Sequence, residues 1–148
     1  MPGIDVSLLE AISVPGARGA ALVDWTCGFA LHCAGESPGG DPETAAARTA
    51  ELARLVMESG AFDPGGARIP AGPEAPERTD DAPDADADPA YPVEDLIITT
   101  RDGYHLIRFV EGTLDSSVFL HLWLDRDAGN LALARLRLQD LTRRLVLQ

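Results

Sequence analysis

The chain has 148 residues, 45% of them apolar, which is enough to bury one sizeable core and hardly two, so a single domain over residues 1–148 is expected. Its formal charge of −12 argues against nucleic acid as a partner, because affinity for phosphates comes from Lys and Arg. All 12 cationic residues are Arg, and the absence of Lys excludes a phosphate-binding loop of the G-x-x-x-x-G-K-[ST] type.

No apolar run approaches the roughly 18 to 20 residues of a membrane helix. The opening stretch MPGIDVSLLEAI has no basic region ahead of an apolar one, so neither membrane insertion nor a signal peptide is expected. Cys27 and Cys33 make a poor disulfide framework and read as free, buried thiols in a reducing, cytoplasmic setting.

Residues 4 to 13 place Ile4, Leu8, Leu9 and Ile12 at helical spacing, with Ser7 and Glu10 in capping-box relation. A turn at Pro15-Gly16 leads into a strand over 17 to 24, and WTCG turns the chain into a second strand from Phe29 to Ala34. Gly19, Ala20 and Ala21 imply close packing against the first of these strands. The next helix has the clearest start in the sequence. Asp41 caps it, Pro42 takes the first helical position and Glu43 lies in the first turn, all suited to orphan N–H groups and the helix dipole. It runs to about Ser59, with Gly60 ending it.

Along that helix Ala46, Ala50, Ala53 and Met57 form one row, and Ala45, Leu52 and Val56 form its neighbour. A row of alanines admits another helix at close range; equally, alanine is the best helix former.

Residues 60 to 92 hold seven prolines, four glycines and eight acidic residues, and carry about half of the net charge. Such a segment cannot offset its ordering entropy by burial and reads as a disordered acidic insertion between two elements of one fold. After it come a strand over 93 to 100, the turn RDG, a strand over 104 to 111, a strand over 117 to 124 and a helix from about Asp127 to Leu147. That helix sets Leu131, Ala134, Leu138, Leu141 and Leu145 on one face.

A two-residue Asp102-Gly103 turn would put Leu96, Ile98, Ile107 and Phe109 on one side of the hairpin and Ile97, Thr99, Leu106 and Val110 on the other. In VFLHLWL, Val118, Leu120, Leu122 and Leu124 face opposite to Phe119, His121 and Trp123. Both faces are apolar, so the sheet needs helices on both. The predicted fold is a three-layer α/β/α sandwich of the α+β type, around a five-stranded antiparallel sheet with element order αββαβββα.

Chemical motifs are weak. GESPG, residues 35 to 39, matches a nucleophile elbow around Ser37, but Pro38 has no N–H to give an oxyanion hole. Asp84, Asp86, Asp88 and Asp95 fall at positions 1, 3, 5 and 12 of a calcium loop, yet Pro89 stands where a Gly must turn. His32 and Cys33 point to opposite faces of a strand, so they and Cys27 do not make a metal site. His105 and His121 read as sheet residues. No catalytic, cofactor or metal site is expected. Arg101, Asp102, Tyr104, Arg108, Asp125 and Arg126 lie around the ends of the sheet, either as a solvated rim or as contacts for a partner.

This element order, with VPGARGAALVDWTCGFAL after a first helix, EDLIITTRDGYHLIRFV in the central hairpin and LHLWLDRDAGNLALARLRL crossing into the last helix, resembles the Roadblock family of dynein light chains, above all its small bacterial members. The resemblance spans nearly everything outside residues 60 to 92, a long acidic insertion where the family has a short loop. It implies a profilin/Roadblock-like fold and a noncatalytic homodimer, or a dimer with a paralogous chain. Edge strands and middle helices meet across its two-fold axis, and several members regulate or scaffold small GTPases. By position, the dimer interface falls on Ile97, Thr99 and the Ala46, Ala50, Ala53 and Met57 row. Arg101, Tyr104, Arg108 and Arg126 are partner-contact candidates. An interaction module without a GTPase and a small-molecule sensor are the alternatives.

Overall fold

The computed structural model describes residues 2–62, 93–110 and 117–146; side chains are described from Val6 to Leu145 within them. Most of the expected acidic insertion, residues 63–92, lies outside the described residues, and with it Asp84, Asp86, Asp88 and Pro89 of the calcium-like motif.

The elements are α1 (Pro2–Ile12), β1 (Ala17–Asp24), β2 (Phe29–Gly35), α2 (Pro42–Glu58), β3 (Asp95–Thr99), β4 (Gly103–Phe109), β5 (Val118–Asp125) and α3 (Leu131–Val146), with a short 3-10 turn at Pro38–Gly40. The order is the expected αββαβββα. The strands form one sheet in the order β2-β1-β5-β4-β3, antiparallel throughout. α1 and α3 cover one face, where Leu8, Ala11, Leu22, Leu106, Leu120, Leu122, Leu124, Leu138 and Leu141 are buried. α2 covers the other, over Val23, Ile107, Phe109 and Phe119. Because side chains alternate along each strand, the apolar runs feed both cores at once, which is why neither face of the sequence showed a wet side.

Local departures have physical causes. Ser7 is buried in mid-helix rather than capping, since α1 begins at Pro2, and Leu9 is exposed. The β3–β4 turn is two residues longer than expected: Thr99 pairs with Tyr104, and Thr100 closes the loop by N–H to Gly103 O at 2.8 Å while its Oγ1 accepts from Gly103 N–H at 3.0 Å. A shift of two residues preserves every side-chain face, so the predicted faces hold. α3 starts four residues later than expected because Asp125 diverts the chain, its carboxylate accepting from the N–H groups of Asp127 and Ala128 at 3.1 and 2.9 Å. Asn130 then caps the helix, its Oδ1 accepting from Leu133 N–H at 3.0 Å.

The close packing expected of β1 is concrete at Gly19. A Cβ there would lie 1.7 Å from the backbone oxygen of Glu36, so only glycine lets β1 and the end of β2 approach. α2 begins as predicted, with Asp41 accepting from Glu43 N–H at 3.2 Å and from the Thr44 hydroxyl at 2.6 Å. The Thr44 hydroxyl, with the backbone N–H groups of Glu43 and Thr44, holds the Asp41 carboxyl below its ordinary range.

Candidate functional site

β3 is an edge strand: among the described residues it pairs with β4 on one side and with nothing on the other. It carries the candidate residues Ile97, 40% exposed, and Thr99, also exposed. α2 is seated mainly over β2 and β1. Consequently Leu96, Ile98 and His105, on the α2 side of β3 and β4, are only half-buried.

The alanine row does not face this opening. Ala46, Ala50 and Ala53 are 0 to 2% exposed and pack on this chain's own sheet, with Met57 half-buried beside them. That corrects their assignment to a dimer surface: small side chains here bring α2 close to its own strands. The neighbouring row is the one left half-exposed, namely Ala45, Thr49, Leu52 and Val56, with Leu55 fully out beside it. Ala45, Arg48 and Thr49 border a cleft whose other wall includes His105, so this side of α2 turns toward β4.

The four partner-contact candidates divide. Arg108, with a side chain only 16% exposed, is turned inward to Asp95, its Nη1 3.5 Å from Asp95 Oδ2. Arg135 of α3 donates to the same oxygen at 2.9 Å, so Asp95 binds the edge hairpin to the last helix. The hydrogen bond to Asp95 raises the Arg135 pKa further. Arg108 is therefore a structural residue, and Asp95 is engaged by two guanidinium groups. Arg126 donates to Thr100 O at 2.9 Å and lies over the half-buried Tyr104 ring, fastening the β3–β4 turn to the β5–α3 turn. Arg101 alone of the four is exposed with no partner among the described residues.

Sequence reasoning passed over the most unusual contact. His105 and His121 lie on one face of adjacent strands, with Nδ1 of His105 2.9 Å from Nε2 of His121. Trp123 stacks on His105 at 5.8 Å between ring centroids, and Arg18 sits 3.8 Å above the Trp123 ring. His121 is 5% exposed, and burial, with repulsion from His105 second, pushes its pKa down to about 3. Burial lowers that of His105 too. The pair was detectable in principle, since both residues fall on the odd-numbered face once β4 and β5 are adjacent; neither strand encodes that adjacency locally.

Other candidates stay apart. Cys27 and Cys33 are exposed, correcting the expectation of buried thiols: Cys27 lies in the β1–β2 turn and Cys33 on the edge strand β2. Ser37 precedes the 3-10 turn in extended conformation, and no group of three metal-ligating side chains occurs among the described residues. No described helix is long and apolar enough to cross a membrane.

A five-stranded antiparallel sheet in this order, with one helix on one face and two on the other, is the Roadblock/LC7 fold, and the likeness to solved structures shows it. The chain is similar to the Roadblock/LC7 domain from Streptomyces avermitilis, with a TM-score of 0.62 and 17% identity over 95% of this chain and 92% of that one. It is similar to MglB of Myxococcus xanthus, with a TM-score of 0.69 and 16% identity over 98% and 86%. The gliding protein MglB of Thermus thermophilus gives 0.66 and 18% over 98% and 87%. No protein-family model matches the chain, nor does any curated protein.

Proposed function

We propose that this protein is a noncatalytic regulator or scaffold that pairs with a second copy or a paralogous chain, and that the pair acts on a Ras-like small GTPase. The observation that carries the pairing is the edge of β3, unpaired among the described residues, next to the half-covered Leu96, Ile98 and the Ala45, Thr49, Leu52 and Val56 row. A second β3 adds main-chain hydrogen bonds at the edge, and a second α2 covers the open apolar strip, so one two-fold contact satisfies both. One solved neighbour is an MglB with a tetrameric arrangement, which supports assembly as a property of this fold. The GTPase part rests on the Roadblock resemblance. Its exposed contacts are Arg101 and Arg126. His121 gives no support to catalysis by the protein itself, because an imidazole with a pKa near 3 is a poor general base at neutral pH.

GTP hydrolysis by small Ras-like GTPases of the same organism, measured with and without the protein, tests the second half of the reading. An altered rate, together with a stable complex in one nucleotide state, is expected. Unchanged hydrolysis and no complex with any of them would leave a scaffold without a GTPase.

A further inference from the structure

His105 lies where the pairing would close. It sits on the α2-side face of β4, opposite Ile98 of the edge strand, and is half-buried because the chain's own α2 is seated mainly over β1 and β2. Ala45, Arg48 and Thr49 of α2 form the far wall of the opening above it. From below the ring is fixed: its Nδ1 lies 2.9 Å from Nε2 of His121, and Trp123 stacks against it at 5.8 Å between centroids. Water reaches the ring through the opening, so a charge on it is solvated from that side.

Among the described residues, the titratable and charged groups that face the ring come from three elements. β5 supplies His121, which is buried and stays neutral down to about pH 3. α2 supplies Arg48 across the opening, while β3 supplies the uncharged Ile98. Arg18 of β1 lies over the Trp123 ring and is paired with Glu36 at 3.1 Å, so that side adds no net charge. None of them offers His105 an uncompensated negative charge, and burial already holds its pKa below the ordinary 6.5 in the single chain. A second copy docked on β3 puts its α2 over this opening, and the row it brings, Ala45, Thr49, Leu52 and Val56, is uncharged. A neutral ring can be covered in this way; a positive one would lose its water and gain no partner.

We propose that pairing through β3 and α2 is pH-sensitive and that His105 is the sensor: its ring is neutral in the pair, and protonating it separates the two copies. The inference rests on the β3 pairing and supplies its regulation. Its sign follows from proton linkage. Covering the ring lowers its pKa below that in the single chain, so the single chain holds more protons in the acid range. Affinity is therefore full above about 6.5 and falls as the pH drops. Each chain contributes one ring, so the effect on the dissociation constant is squared.

Molar mass across a dilution series of the full chain at pH 7, 6 and 5, with circular dichroism to follow folding, measures that constant. It is expected to rise about tenfold or more from pH 7 to 5. His105→Phe is expected to lose this dependence, whatever its affinity at pH 7. The imidazole resonances of the native chain, at a concentration where it is paired, and of Ile97→Lys give a second reading. His105 is expected to titrate about one pH unit lower in the native chain than in Ile97→Lys. Equal midpoints, a dissociation constant that does not change with pH, or an equal pH dependence in His105→Phe would overturn the sensor and leave the pairing standing. A native chain of 15.7 kDa at pH 7 would remove both.

Discussion

Lowering the pH from 7 to 5 is expected to remove about 2 kcal/mol of stability through His121 alone, at about 1.36 kcal/mol for each pH unit below its unfolded pKa. In the folded chain burial, with His105 beside it, brings the His121 pKa from 6.5 to about 3. The unfolded chain therefore binds a proton near pH 6.5 that the folded chain refuses until about pH 3. Stability from this group is full above 6.5 and falls as the pH drops toward 3, because the unfolded state holds more protons across that window. From 6.5 to 5 is about 1.5 pH units at about 1.36 kcal/mol each. The lowered pKa of His105 adds to the same trend. The Glu10 and Asp41 carboxyls, held below their ordinary values of 4.5 and 3.8, act at lower pH and leave this window clear. Urea denaturation at pH 7, 6 and 5, at fixed protein concentration and followed by the fluorescence of Trp25 and Trp123, reads the slope. His121→Leu is expected to flatten it, whatever its effect at pH 7. A stability flat from pH 7 to 5, or an equal slope in His121→Leu, would refute the burial argument.

Ala50→Leu is expected to destabilise the chain by about 1–3 kcal/mol, because Ala50 is wholly buried between α2 and the sheet and the added atoms have no space; if the row faced a partner instead, denaturation of the monomer would not change. Asp95→Ala leaves the nearly buried Arg108 without its inner carboxylate and frees Arg135, and is expected to cost about 2 kcal/mol in the same assay. Glu10→Gln, at the exposed α1–α3 pair with Arg144, is expected to cost less than about 1 kcal/mol.

The period-2 alternation of β4 and β5 was legible because both of their faces are buried, and a two-residue error in the turn leaves side-chain parity unchanged. The α2 start was legible because Asp41-Pro42-Glu43 states its own capping chemistry. Two local competitors were not: Asp125 can accept from the chain ahead of α3, and Ser7 sits in a helix that begins earlier. The alanine row shows what helical spacing leaves open. Helical spacing groups Ala46, Ala50 and Ala53 on one face but does not say whether that face meets its own sheet or another molecule. The His105 and His121 contact depended on β4 and β5 being neighbours, a long-range fact that neither strand encodes locally.

The central claim is that the free β3 edge pairs, and molar mass in solution tests it most directly. The native chain at micromolar concentration is expected at twice its 15.7 kDa chain mass, and Ile97→Lys, which places like charges across the paired edge, at 15.7 kDa with unchanged folding. A native chain at 15.7 kDa, alone and with its paralogues, or an Ile97→Lys chain that pairs as tightly as the native one, would contradict it.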